Sequence, residues 1–206
     1  MTLPLGGAVS LAYTRVRRVP AGLWEIRARA TALPDGTTRD EDDTSEPLVF
    51  STHESVRGIL DFSIAEFATP LAPPLWFVSV DESRATPRAT NLVAFADDSL
   101  PPGTIISRYQ FASLGVHNSL QAGAVRWYPD GGLVHQIFVA EQWRRHHVGT
   151  HLLYAAEAFH QSNGWAGKLN GDGRRTQLGE QLIAGLASYP ERFLPLVQTM
   201  PPMDHR

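Results

Sequence analysis

Apolar and polar positions alternate near the start of the chain. Val16, Leu23, Trp24 and Ile26 lie around the break Val19-Pro20-Ala21-Gly22, a pattern that predicts two strands within residues 8–32. A helix is expected next. Ser51 and Glu54 have capping-box spacing, and Val56, Ile59, Leu60, Ile64 and Phe67 recur at helical intervals before Pro70. The β-rich runs 75–80, 91–95 and 104–112 predict strands. Two further β-rich runs flank Pro129-Asp130-Gly131-Gly132, which predicts a hairpin over 122–139. A helix is predicted over 148–161, burying Leu152, Ala155, Ala156 and Phe159 and ending at Asn163-Gly164. Residues 167–176 have loop composition, 177–189 predict a helix weakened by glycines, and 192–198 predict a last strand. This order predicts an α/β or α+β domain with a mixed, largely antiparallel sheet.

Composition narrows the function classes. The 206 residues are 43% hydrophobic and 19% charged, enough for a sizeable core in one domain. Net charge is -3, which gives no general attraction for nucleic acid or an anionic membrane, so neither is an expected partner. Cysteine is absent, so there are no disulfides, thiolate ligands or cysteine nucleophile; a cytoplasmic location fits. The basic residues Arg15, Arg17 and Arg18 follow the first apolar run, opposite to the order in a secretory signal. No apolar run is long enough to span a bilayer. The acidic stretch 34–47 predicts a solvated or disordered loop, its carboxylates offering the alternative of attracting a cationic amine.

The chemistry concentrates where the hairpin hands over to the helix after it. Arg144, Arg145, His146 and His147 precede Val148, Gly149 and Thr150 at the helix start. A helix N-terminus has unpaired N–H groups and partial positive charge, so this corner fits a phosphate or pyrophosphate, with the rest of the ligand along strand 133–139. A basic, solvated helix start is the other reading. His147 and His151 are four apart, but Val148 stands where a zinc-protease pattern needs glutamate, so no metal site is expected. Trp24, Trp76, Trp127 and Trp143 are expected mainly in the core.

The stretch Ile137-Phe138-Val139-Ala140-Glu141-Gln142-Trp143-Arg144-Arg145-His146-His147-Val148-Gly149-Thr150-His151-Leu152-Leu153 resembles the acetyl-CoA signature of the GCN5-related N-acetyltransferase (GNAT) superfamily. That pattern is Gln/Arg-x-x-Gly-x-Gly/Ala. Arg144 takes its first position, Gly149 its second glycine, Val148 the small aliphatic residue, and Leu152-Leu153 the leucine pair. The match covers about residues 123–165, roughly a fifth of the chain. Histidine 147 replaces the first glycine, which places a side chain where left-handed backbone is expected. The family's next strand splays from its neighbour to admit pantetheine; residues 166–176 make a poor strand, so the C-terminal part, about 166–206, is expected to be remodelled.

The resemblance implies a single GNAT-like domain over 1–206 and acyl transfer from acyl-CoA, acetyl-CoA above all, to a primary amine by direct attack in a ternary complex. It implies cofactor contacts from Ile137, Phe138, Val139, Arg144, Arg145, His146, His147, Val148, Gly149 and Thr150, with the Val139 N–H facing the oxyanion. Counting back in twos along the strand gives Ile137, His135 and Leu133, which makes His135 the candidate base. Tyr189 is the candidate acid. No metal is implied; the acceptor is unspecified, and a homodimer is compatible with the sequence. The alternative is a non-catalytic CoA-binding or interaction module.

Overall fold

The computed structural model describes residues 9–186 and 191–201. Twelve strands and three α-helices are described. The strands are β1 (Ser10–Arg18), β2 (Trp24–Thr31), β3 (Thr37–Arg39), β4 (Leu48–His53), β5 (Leu60–Ile64), β6 (Trp76–Glu82), β7 (Ala89–Phe95), β8 (Thr104–Ser107), β9 (Gln121–Tyr128), β10 (Leu133–Val139), β11 (Arg174–Arg175) and β12 (Gln198–Thr199); the helices are α1 (Arg108–Leu114), α2 (Val148–Ser162) and α3 (Gln177–Ala184). Ten strands form one sheet in the order β10-β9-β7-β6-β8-β5-β4-β2-β1-β3. Within this sheet only β6 with β8 and β1 with β3 run parallel. The fold is therefore mixed α/β with a large, mostly antiparallel sheet. Among the described residues no helix is long and apolar enough to cross a membrane.

The helix α2 organises this sheet. Its only acidic or strongly basic side chain is Glu157, so it has no polar face to offer water, and all fifteen of its residues are buried. It touches β10, β9 and β7 at one end of the strand order and β5, β4 and β2 toward the other, so the sheet curves around it. Leu152, Ala155, Ala156 and Phe159 lie in the main core with Trp127, Phe50 and Tyr13. A smaller core on the other face of β6 and β7 holds Trp76, Val78, Phe95 and Ile106, with Phe111 of α1 packed on it. Trp76 and Trp127 are core residues as expected, and Trp24 and Trp143 are half-buried at its margin.

A buried ionic cluster closes the gap between the two sides of the curved sheet. Arg192 pairs with Asp35 through two hydrogen bonds of 2.6 and 2.7 Å, donates to the Tyr13 hydroxyl at 2.7 Å and lies 3.0 Å from Glu157. Lys168 reaches Asp35 at 2.7 Å, and the Leu169 N–H and Gln161 amide donate to Glu157. Two cations thus meet two carboxylates. Burial alone would raise the Asp35 carboxyl, but the bonds and charge of Arg192, with Lys168 and the Leu11 N–H, outweigh it and hold Asp35 at about 2.

Several expectations are corrected. No helix follows Ser51: it lies in β4, its hydroxyl 3.0 Å from His53 Nε2, and residues 60–64 form β5. Leu60, Phe62 and Ile64 also alternate with period two, and that period prevails because β5 pairs with β4 and β8; Val56 and Phe67, the ends of the supposed helical face, are exposed. The strand expected over 104–112 stops at Ser107, which begins α1 in a capping box with Gln110. The acidic stretch is ordered, with Asp35, Asp42 and Glu46 paired and Asp40, Glu41 and Asp43 exposed. Asp42 binds Arg29 and Arg27, and Glu46 binds Arg39 and Thr31. In place of a strand over 192–198, Phe193 bridges Gly171 and only Gln198–Thr199 pairs, with β11.

Candidate active site at the β10–α2 corner

Strand β10 is an edge strand with a change of register. Its pairing with β9 slips between Val134 and Gln136, leaving His135 as the bulged residue. The bulge switches which backbone groups face outward. Before it, the Val134 N–H donates outward to the Asn170 carbonyl; after it, the Ala140 N–H donates inward to Ala122. Alternation then turns the N–H groups of Ile137 and Val139 toward the outer edge. The segment after α2 runs parallel to β10 only at the Leu133–Asn170 bridge. Beyond that bridge no strand among the described residues pairs with the outer side of β10.

The loop from β10 to α2 is built on left-handed backbone. After the turn Glu141–Trp143, Arg145 has φ 67° and His147 has φ 56°. The expected left-handed position at His147 is therefore present, with a second one at Arg145. His147 is the N-cap of α2 but makes no side-chain capping bond. The His151 N–H bonds to the His147 carbonyl at 2.9 Å, so helix geometry leaves the N–H groups of Val148, Gly149 and Thr150 without an intrahelical acceptor. The Arg144 guanidinium donates through Nε to the Val139 carbonyl at 3.3 Å, and the His146 Nδ1–H donates to the Arg144 carbonyl at 2.9 Å. Arg144, Arg145, His146 and His147 are all exposed around this start, a concentration of donors and positive charge suited to a polyanion.

Gly149 has a different neighbour from the expected ligand backbone. A Cβ there would lie 3.1 and 3.2 Å from the two methyl carbons of Leu182 and 3.6 Å from Val139 Cγ2. A side chain at position 149 would thus need the Leu182 methyls to shift by a few tenths of an ångström. Sequence reasoning missed Leu182; its signal was only one apolar face in a glycine-weakened helix.

The other candidates separate. His135 is exposed, its ring 5.2 Å from that of Tyr128. The count by twos that placed it on the Val139 series is broken by its own bulge. Four residues of strand put it roughly 13 Å from Val139, so a proton between them would pass through water. Tyr189 lies outside the described residues. His147 and His151 do not converge: His147 is exposed, while His151 is buried with its ring 5.7 Å from Phe62 and 5.8 Å from Phe77. Two shallow clefts of about 450 and 430 Å³ share Arg57, Pro101 and Pro102, away from this corner.

His147→Gly is expected to raise stability by about 1 kcal/mol. Glycine removes the left-handed strain, and its larger unfolded-state entropy takes part of that gain back. Urea midpoints of the two proteins measure this; a lower midpoint for the variant would mean the imidazole makes a contact that outweighs its strain.

No protein-family model, curated protein or solved structure matches the chain.

Proposed function

We propose that this protein is an acyl-CoA-dependent N-acyltransferase that uses acetyl-CoA and transfers the acyl group to a primary amine by direct attack in a ternary complex. The single observation that carries this reading is the corner itself: an outward-facing Val139 N–H at the end of the edge strand β10, followed by left-handed backbone at Arg145 and His147 and the N-terminus of α2. In this reading residues 145–150 receive the pyrophosphate, the edge over Ile137, Phe138 and Val139 receives the pantetheine arm, and the Val139 N–H meets the oxyanion. The β9–β10 hairpin, the loop, α2 and the parallel contact at Asn170 support a GNAT-like core within one domain. A cytoplasmic location belongs to the same proposal, as does the absence of metal, nucleic-acid and membrane partners.

His135 is the proposed base, acting through water, with Tyr189 as the proposed acid. His135→Ala is expected to lower turnover by on the order of a hundredfold while acetyl-CoA affinity holds, and to move the acid limb of the pH–rate profile. Thiol release over a panel of amines measures it; an unaltered rate and profile would remove His135 from the mechanism.

A second reading is a non-catalytic CoA-binding module. It is favoured by Leu182, which occupies the space beside Gly149. Thermal-shift titration with acetyl-CoA followed by the amine panel separates the two. Binding with turnover supports the transferase, and binding with no turnover on any amine supports the module. No binding ends both.

A further inference from the structure

We propose that the cleft lined by Arg57 and Asp98 is a binding site for a small zwitterion with an apolar side chain, of the class of free aliphatic α-amino acids. This site lies apart from the β10–α2 corner, and the proposal does not depend on the acyl-CoA reading.

Two opposite charges line one cleft of about 450 Å³ without meeting each other. Arg57 and Asp98 are both exposed, and among the described residues neither enters an ion pair. By contrast, Arg17, Arg27, Arg29, Arg39 and Arg126 on the strands each hold a carboxylate. A simple amine or a simple carboxylate would engage one wall of this cleft only, whereas an α-amino acid engages both.

Both charges stand on fixed backbone. The Ser55 hydroxyl accepts from the N–H groups of Arg57 and Gly58 at 3.2 and 2.8 Å and donates to Asp61 at 2.8 Å. The Arg57 carbonyl accepts from the Gln110 amide at 3.3 Å, and a Cβ on Gly58 would clash with the Ile105 carbonyl oxygen, so this turn is pressed onto β8. On the other wall, Asp97 accepts from the Ser99 N–H at 2.8 Å and from the Trp76 indole at 3.2 Å. Those bonds tie down the turn that carries Asp98, and the Gly103 N–H anchors the same loop to the Leu75 carbonyl at 2.7 Å. Fixed backbone under unpaired charges lowers the ordering cost of binding.

The charges also assign the two ends of the occupant. Burial alone would raise the Asp97 carboxyl, but the bonds from Ser99 and Trp76 outweigh it and lower the group below its ordinary value. Its Oδ2 is buried without a hydrogen-bond partner, so the wall that carries Asp98 has a second negative charge. An ammonium belongs there, and a carboxylate at Arg57. Between them the lining is apolar, from Pro74, Trp76, Ala96, Leu100 and Pro101, which suits an aliphatic side chain. Trp76 and Leu100 belong to the smaller core, on the face of β6 and β7 away from α2. An amino acid bound here is therefore not placed to receive an acyl group at Val139.

The test is nuclear magnetic resonance titration of the nitrogen-15-labelled full chain, read at the amides of Arg57, Gly58, Asp98, Ser99 and Leu100. The probes are L-leucine, 4-methylpentanoate, which lacks the ammonium, and 3-methylbutylamine, which lacks the carboxylate. L-Leucine should shift these amides to saturation, and each analogue should bind at least about tenfold more weakly. Arg57→Ala and Asp98→Ala, both at exposed positions, should each lower leucine affinity about tenfold while the melting temperature holds. Leucine that leaves these amides unmoved, or moves them without saturation, overturns the site. An analogue that binds as tightly as leucine overturns the zwitterion, because one wall then contributes nothing. Wild-type leucine affinity in either variant overturns the proposal equally, since it needs both charges.

Discussion

Replacing Arg192 with methionine is expected to destabilise the protein by about 3–5 kcal/mol, the range for removing one partner of a buried ion pair. The side chain of Arg192 is 1% exposed and that of Glu157 0%, so the change leaves a carboxylate without its cation and without water. Lys168 can still serve Asp35, but it is the cluster's more exposed cation and bonds Asp35 rather than Glu157. The Tyr13 hydroxyl also loses its donor. For a chain of this length the loss amounts to a fall in melting temperature of roughly 6–20 °C. Denaturant unfolding of wild type, Arg192→Met and Arg192→Met/Glu157→Gln measures it. The double variant should recover part of the loss, because the orphaned charge is gone. If Arg192→Met changes stability by less than 1 kcal/mol, as an exposed pair would, the cluster does not hold the two sides of the sheet together.

Acidification is the second large effect. Burial pushes the His151 imidazole from 6.5 down to about 4. In the unfolded chain the ring takes a proton near 6.5, whereas in the folded chain it stays neutral until about 4. Stability is therefore full above pH 6.5, falls as pH drops between the two values, and levels off below about 4. The loss from this one residue is roughly 3 kcal/mol. His160 is shifted the same way by burial, opposed in part by Glu157, so wild type loses more than the single-residue figure. Below pH 4 a separate window opens. Asp35 is depressed from 3.8 to about 2, and the stability it contributes is lost as pH falls through that range. Urea titrations at pH 7, 5.5 and 4.5 on wild type and His151→Leu isolate the His151 share. The variant should show a shallower decline from pH 7 to 4.5, and parallel declines would mean that His151 is protonated as readily folded as unfolded.

How much was legible in the sequence differs by element. The β9–β10 hairpin and the helix α2 were written plainly, because turn residues and period in those stretches agree with the tertiary context. Residues 51–64 carried two compatible periods. Leu60, Phe62 and Ile64 fit a strand, while Leu60 and Ile64 with Ile59 fit a helix, and only the availability of β4 and β8 as partners chose between them. Ser107 and Gln110 spelled a capping box that the β-rich residues Ile105 and Ile106 concealed. At the corner, the left-handed conformation of His147 followed from its place in the motif, but nothing nearby in sequence announced Arg145.

Determined by the sequence alone were the mixed α/β class, the hairpin, the buried character of α2 and the gathering of arginine and histidine at one helix start. These depend on residues close together in the chain, where spacing and propensity act directly. Tertiary structure decided the bulge at His135, the burial of His151 between Phe62 and Phe77, the cover of Leu182 over Gly149 and the meeting of Tyr13, Asp35, Glu157, Lys168 and Arg192. The physical reason is separation along the chain. Arg192 and Asp35 are 157 residues apart, and at such distances local pattern carries no information about which groups the folding of the sheet around α2 will bring into contact.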